Sequence, residues 1–210
     1  MNDPTHLTLI RHGQTTWNAH GRWQGQADAP LSAVGIQQAH DLAARLVGEQ
    51  AHFDHIYTSD LQRAYDTAAI LAEALRTPFQ PLPALREIHV GVWAGLTGDE
   101  IKERYAAQWA AAQTGGRRGE HGESTAEFDA RIWGGIQQVL HDHPGAHLAL
   151  VSHGGAINSV LRLTLPHLEG WQHIRNTSLT TLVWDGTHWE LARINDHRHL
   201  AEVSPVNTVI

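Results

Sequence analysis

The spacing of hydrophobic and polar positions along this chain separates short buried strands from amphipathic helices. His6-Leu7-Thr8-Leu9-Ile10 is a β-favouring apolar run that stops at Arg11-His12-Gly13, which predicts a buried strand ending in a loop. Ser32 can N-cap a helix that runs through Ile36, Ala39, Leu42, Ala43 and Leu46, a spacing that keeps one face apolar. Residues 53–59 read as a second strand. Residues 61–76 read as a second helix, with Ala64, Ala68, Leu71 and Leu75 inward. Pro78, Pro81 and Pro83 make residues 77–85 extended or looped. Further helices are predicted over 98–112 and 125–141, separated by a polar, glycine-rich, mobile loop over 114–123. Ala146 to Val151 is the clearest buried strand and ends at Ser152-His153-Gly154-Gly155; a helix from Ala156 to about Leu163 follows. Two late strands, 180–184 and 188–194, flank the hairpin-type turn Asp185-Gly186.

Strands that alternate with helices predict a three-layer α/β/α sandwich with a mostly parallel central sheet and helices on both faces. The 210 residues suffice for one domain with a real core. No linker or repeat divides 1–210, and the stretch around 77–123 is the one candidate for a small cap-like insertion.

Composition narrows the function classes. Apolar residues make up 41% and charged residues 18% of the chain, which suits a soluble globular protein. The formal net charge of −7 offers nothing global to nucleic acid or an acidic membrane, so any anion site must be local. The absence of cysteine removes disulfides, thiolate zinc sites and cysteine nucleophiles, and fits a cytoplasmic location. The N-terminus has no signal-peptide pattern, and no apolar run approaches the roughly 20 residues of a membrane helix. Seventeen histidines mean that a lone histidine carries little information here. The oligomeric state is not legible.

Two histidines stand in a similar setting. Arg11-His12-Gly13 and Ser152-His153-Gly154-Gly155 each place a histidine just past a buried strand and before glycine. Ligand sites in open α/β sheets gather outside the carboxyl ends of strands, so the two can converge on one crevice. Glycine permits close backbone approach, amides at a following helix N-terminus favour an anion, and arginine beside the first histidine matches phosphate oxygens. A strand-end His-Gly pair is also compatible with a purely structural role, and the pattern alone leaves both readings open.

The segment Leu9-Ile10-Arg11-His12-Gly13-Gln14-Thr15-Thr16-Trp17-Asn18 resembles the signature of the histidine phosphatase superfamily, in its phosphoglycerate mutase-like branch. The resemblance continues through Leu31-Ser32-Ala33-Val34-Gly35, Ser59-Asp60-Leu61-Gln62-Arg63-Ala64 and Leu85-Arg86-Glu87-Ile88-His89-Val90-Gly91. Gly122-Glu123-Ser124, Val151-Ser152-His153-Gly154-Gly155, Asn176-Thr177-Ser178 and Asn195-Asp196 follow in the family's order. It spans essentially the whole chain. It implies a phosphoglycerate mutase-like fold and a metal-independent phosphoryl-transfer enzyme acting on a small phosphate monoester. His12 would be the nucleophile that forms a phosphohistidine, and Arg11, Arg63 and protonated His153 would bind the non-bridging oxygens. Asn18 and the Gly154 amide would complete that cradle, with Gln24 near its mouth. Glu87 would protonate the leaving alcohol and then activate water. The pocket wall would come from Ile88, His89, Trp23 and the 97–122 region.

Two chemistries share this core, transfer to water and transfer back to another hydroxyl of the substrate. Cofactor-dependent mutases of the family carry an arginine directly after the catalytic glutamate and a lysine eleven residues after it. Here those positions are Ile88 and Gly98, which favours a phosphatase without cofactor over a mutase that needs 2,3-bisphosphoglycerate. Arg117-Arg118 resembles a mutase feature, but its glycine-rich setting suggests a loose loop. An inactive phospho-ligand binding module is disfavoured, because the core residues are all present. His141-Asp142-His143 and His197-Arg198-His199 are short exposed clusters, and a metal is not expected at either.

Overall fold

The computed structural model describes residues 3–200; the ends of the chain, including Met1-Asn2, lie outside them. Six strands form one sheet in the order β3-β2-β4-β1-β5-β6, with β1 Thr5–Arg11, β2 His55–Thr58, β3 Phe79–Pro81, β4 His147–Ser152, β5 Leu179–Trp184 and β6 Trp189–Asp196. The first four are mutually parallel, and β5 and β6 join as an antiparallel extension. Helices α2 Ala33–Gly48 and α3 Gln62–Leu75 cover one face. Helices α6 Thr125–Asp142 and α7 Gly154–Thr164 cover the other. This is the three-layer α/β/α sandwich.

The period-two pattern of the strands decides which residue feeds which core. Ile10, Ile56, Ala149 and Val151 meet Leu42 and Leu46 of α2 and Ala64, Ala68 and Leu71 of α3. Their neighbours Leu7, Leu9, Leu148 and Leu150 meet Ile132 and Ile136 of α6 and Ile157 and Val160 of α7. The caps follow the sequence: Ser32 accepts from Gly35 N at 3.0 Å, and Ser124 and Glu127 form a capping box. Ile36 departs from the expected apolar face and is 44% exposed, and Leu75 is only partly buried.

The region 77–123 holds most of the departures. Residues 79–81 pair with β2 as an edge strand, where a proline has no ladder partner to lose. The helix expected over 98–112 is two helices, α4 Gly98–Arg104 and α5 Ala106–Gln113, broken at Tyr105 (φ −132°, ψ 38°). A short helix, α1 Thr16–Ala19, was not anticipated. The 114–123 loop is not loose. Thr125 N donates to Gly115 O at 3.1 Å, Arg118 N to Glu123 O at 3.1 Å and Glu123 N to His89 O at 2.8 Å. Its glycines serve closure rather than mobility: a Cβ on Gly122 would fall 1.9 Å from Arg118 O. No helix among the described residues is long and apolar enough to cross a membrane.

Candidate active site

The parallel pairing of β1 with β4 sets Arg11 opposite Ser152, so the next residue of each strand leaves the sheet at the same edge. His12 N donates to Ser152 O at 2.9 Å, and the rings of His12 and His153 lie 5.1 Å apart at 60°. The end of β2 joins them: Ser59 N donates to Val151 O, and the Ser59 hydroxyl is 2.9 Å from His153 Nε2. Two histidines separated by 140 residues of chain thus become neighbours because adjacent strands end together.

His12 is 3% exposed, and its Nδ1 is 2.7 Å from Gly13 O. A carbonyl can only accept, so Nδ1 carries the hydrogen and Nε2 keeps its lone pair. Burial, with Arg63 and then Arg11 adding positive charge, holds the His12 pKa well below 6.5, and the ring is neutral at neutral pH. The backbone here is held from several sides. Asn176 Nδ2 donates to His12 O at 2.9 Å and Thr177 N to Arg11 O at 2.9 Å, while Gly13 abuts Gly35 so closely that a Cβ would meet Gly35 O at 2.4 Å.

Arg63, in the first turn of α3, is 1% exposed and donates to Gly25 O at 2.7 Å and Ala27 O at 2.8 Å. Arg11 donates to Ile174 O at 2.6 Å. Each is positioned by carbonyls rather than by a carboxylate, so its charge remains available to an anion. Burial lowers both to about 10, against the opposing pull of Glu87, and both stay cationic at neutral pH. His153 is fully buried and pushed well below 6.5 by burial, Arg63, His12 and Arg11. In the protein alone it is neutral, unlike the protonated form expected from sequence. Glu87 reaches the start of α7: its Oε2 accepts from Gly155 N at 2.9 Å and its Oε1 from Ile88 N at 2.8 Å. A Cβ at position 155 would fall 2.2 Å from Oε1, so glycine is what lets the carboxylate lie there.

Arg11, His12, Arg63 and Glu87 line a cavity of about 680 Å³, and the fully buried His153 lies behind His12 rather than in the lining. Asn18, Gln24, Ile88 and Gly154 also line it. The Asn18 Oδ1 accepts from Thr15 N in the α1 capping box, so this oxygen is engaged within the protein. Gln24 is 8% exposed, and its Oε1 has no partner among the described residues. His89 does not line the cavity: its Nδ1 is 3.0 Å from His121 O, beside the 119–123 turn.

The paired arginines divide. Arg117 turns outward to Glu127 and Gly122 O. Arg118 lines the cavity, bonded to Thr125 Oγ1 at 3.1 Å, with its pKa lowered by burial and then supported by Glu87. Trp109 and residues 112–115 line the cavity from the 97–122 region expected as wall, whereas sequence reasoning missed Phe128 and residues 171–174. Trp23 and Trp93 line the cavity, whereas Trp17 packs on Gly95. Arg131 has a positioning role that no motif announced. It donates to the carbonyls of Ala84, Arg86 and Glu87 and, in bidentate fashion, to Glu123, which accepts from His89 N. Among the described residues no three His, Asp or Glu side chains gather as a metal-holding group. His143 bonds the Tyr57 hydroxyl and His199 bonds Thr177.

Residues 7–197 match the family described as the histidine phosphatase superfamily (branch 1). The chain is 38% identical, over 91% of its length and 93% of the relative's, to a probable phosphoglycerate mutase GpmB of Yersinia enterocolitica. Among solved structures it resembles Bacillus stearothermophilus YhfR, with a TM-score of 0.83 and 32% identity over 93% of this chain and 98% of that one. It also resembles the mycobacterial glucosyl-3-phosphoglycerate phosphatase, with a TM-score of 0.78 and 33% identity over 90% and 98%. With its motifs in order on this fold, the chain belongs to branch 1 of the histidine phosphatase superfamily.

Proposed function

We propose that this protein is a metal-independent phosphomonoesterase that works through a phosphohistidine on small phosphorylated metabolites in the cytoplasm. The observation that carries the reading is His12: a neutral, buried imidazole whose Nδ1 is fixed by Gly13 O, leaving Nε2 free beside Arg11 and Arg63. Nε2 attacks phosphorus, the bond from phosphorus to the ester oxygen breaks, and Glu87 passes its proton to the departing alcohol. Water then attacks the phosphohistidine, Glu87 takes its proton, the phosphorus–nitrogen bond breaks and inorganic phosphate leaves. Arg11, Arg63 and the Gly154 amide hold the equatorial oxygens through both steps. His153 joins them: the negative charge of a bound phosphoryl group opposes the arginine field, so proton uptake at His153 accompanies binding.

One observation favours a second reading, a mutase. Arg118 places a further cation in the cavity with no carboxylate at ion-pair distance among the described residues, which suits a second anionic group on a substrate. The test follows phosphate release from a panel of monoesters that includes 3-phosphoglycerate, with and without 2,3-bisphosphoglycerate, while monitoring 2-phosphoglycerate. Release without bisphosphoglycerate, unaffected by EDTA, is expected. Isomer formation stimulated by bisphosphoglycerate would instead establish the mutase, and collapse on chelation with rescue by a divalent ion would overturn the metal-free mechanism.

A further inference from the structure

The cavity's lining is of two chemical kinds. Beside the cationic groups, Trp23, Trp93, Trp109, Phe128, Ile88 and Val90 make a predominantly apolar wall. Three of the chain's eight tryptophans meet there as a single cluster. Trp23 stands at 89° to Trp93 and at 72° to Trp109, with ring centres 5.8 Å away in both cases, and Trp93 and Trp109 are 5.9 Å apart. Indoles at near right angles form a rigid corner, in which a flat ring can stack on one face while meeting the edge of another. Trp93 is fully buried, and Lys102, outside the cavity, lies over the Trp109 ring at 5.4 Å from its centre. The buried Trp93 backs the two partly exposed indoles, and the Lys102 contact holds Trp109, before any ligand arrives.

The other lining cations do not compete with the aromatic wall. Arg22 is bonded to Gly95 O and Glu100, and Arg162 is engaged by Asp129, whereas Arg118 has no carboxylate at ion-pair distance among the described residues. A small, wholly polar alcohol would leave the indole corner uncovered. About 680 Å³ exceeds what a phosphoryl group alone needs and is ample for a ring-bearing alcohol.

We infer that the alcohol half of the substrate carries a planar aromatic ring, seated against Trp23 and Trp109, with Trp93 behind them, while its phosphate meets Arg11, Arg63 and His12. This rests on the phosphomonoester reading but is separable from it, because recognition of the ring needs no turnover.

The experiment uses non-hydrolysable phosphonates. Phenylalkyl phosphonates with one to three methylenes between phosphorus and ring are titrated calorimetrically against the protein, beside their cyclohexylalkyl counterparts of similar size and charge. At the best linker length the phenyl compound is expected to bind roughly two- to tenfold tighter than the cyclohexyl one, the size of an aromatic pair contact. Trp109→Leu should bring that ratio close to one, and Trp109→Phe should retain it, which separates loss of the ring from loss of the fold. Equal or weaker binding of the phenyl series, no binding of either series, or a phenyl preference that survives in Trp109→Leu would each overturn the inference. Phosphate release from 4-nitrophenyl phosphate by the same preparation reports separately on the phosphomonoesterase reading.

Discussion

Replacing Gly155 with alanine sets a Cβ 2.2 Å from Glu87 Oε1 and 3.0 Å from its carboxyl carbon. Neither distance is tolerable, and the end of the glutamate side chain yields more readily than the backbone of α7. Its displacement removes the 2.9 Å hydrogen bond from Gly155 N. Losing a hydrogen bond to a charged group costs roughly 1.5–3 kcal/mol. Alanine in place of helical glycine returns up to about 1 kcal/mol. The net loss is on the order of 1–2 kcal/mol, which leaves a domain of ordinary stability folded. The effect on chemistry is larger, because a positioned general acid contributes ~10²- to 10⁴-fold in rate. The expected outcome is a fall of about 100-fold in kcat with propyl phosphate, whose alcohol needs a proton to leave. With 4-nitrophenyl phosphate, whose phenolate leaves unaided, the fall should be under about tenfold. Steady-state phosphate and nitrophenolate release measure the two, and a thermal melt confirms the fold. Equal losses on both esters, or none on either, would refute the placement of Glu87 as the acid and of Gly155 as its seat.

Three further outcomes are expected. His12→Asn should abolish turnover and the acid-labile phosphoenzyme formed from radiolabelled substrate; label retained on the variant would move the nucleophile elsewhere. His12 and His153 are both depressed below 6.5, so the unfolded chain takes up protons that the folded one refuses, and stability is complete above pH ~6.5 and falls as the pH drops toward their folded values. The loss amounts to roughly 2–3 kcal/mol for the pair by pH ~5.5, seen as a lower urea midpoint than at pH ~7.5; an unchanged midpoint would contradict the buried, neutral assignment. Arg131→Ala removes the bidentate contact to Glu123 and three donors to the 84–87 carbonyls. It should destabilise the fold by roughly 1.5–3 kcal/mol, as expected for losing charge-assisted hydrogen bonds of a partly buried pair, again read by urea denaturation.

The elements that were legible from the chain alone are those whose pattern was continuous. The strand before Arg11 and the strand before Ser152 are short, mostly apolar runs, helices α2 and α6 have both a side-chain cap and a stripe, and α3 has the stripe alone, so packing had only to confirm local preference. Glu87, Arg63 and the two histidines were found because motif order singled them out, and the sheet register brings them together. What was not legible depends on tertiary placement. Tyr105 breaks a helix-favouring stretch, and no proline or glycine marks the break. Arg117 and Arg118 are chemically identical neighbours, and only the closure of the 114–123 loop sends one outward and the other into the cavity. The carbonyl that anchors Arg11 belongs to Ile174, in a coil segment with no periodicity to read. Asn176 and Thr177 were recognisable as a motif, but their work of holding the nucleophile's backbone is visible only as hydrogen bonds.

The clamp of Arg131 and Glu123 has a consequence for protein engineering. Glu123 fixes the segment that bears Glu87, and it does so at the point where the wall-forming stretch ends and α6 is about to begin. The acid is therefore moored to α6 and α7 rather than to the stretch from α4 to the 114–121 turn, whose inward residues such as Ile101 still have to fill the core. A chimera that grafts residues 97–121 from another superfamily member, keeping Glu123 and Arg131, would exchange the choice of ester without disturbing the machinery that cleaves it.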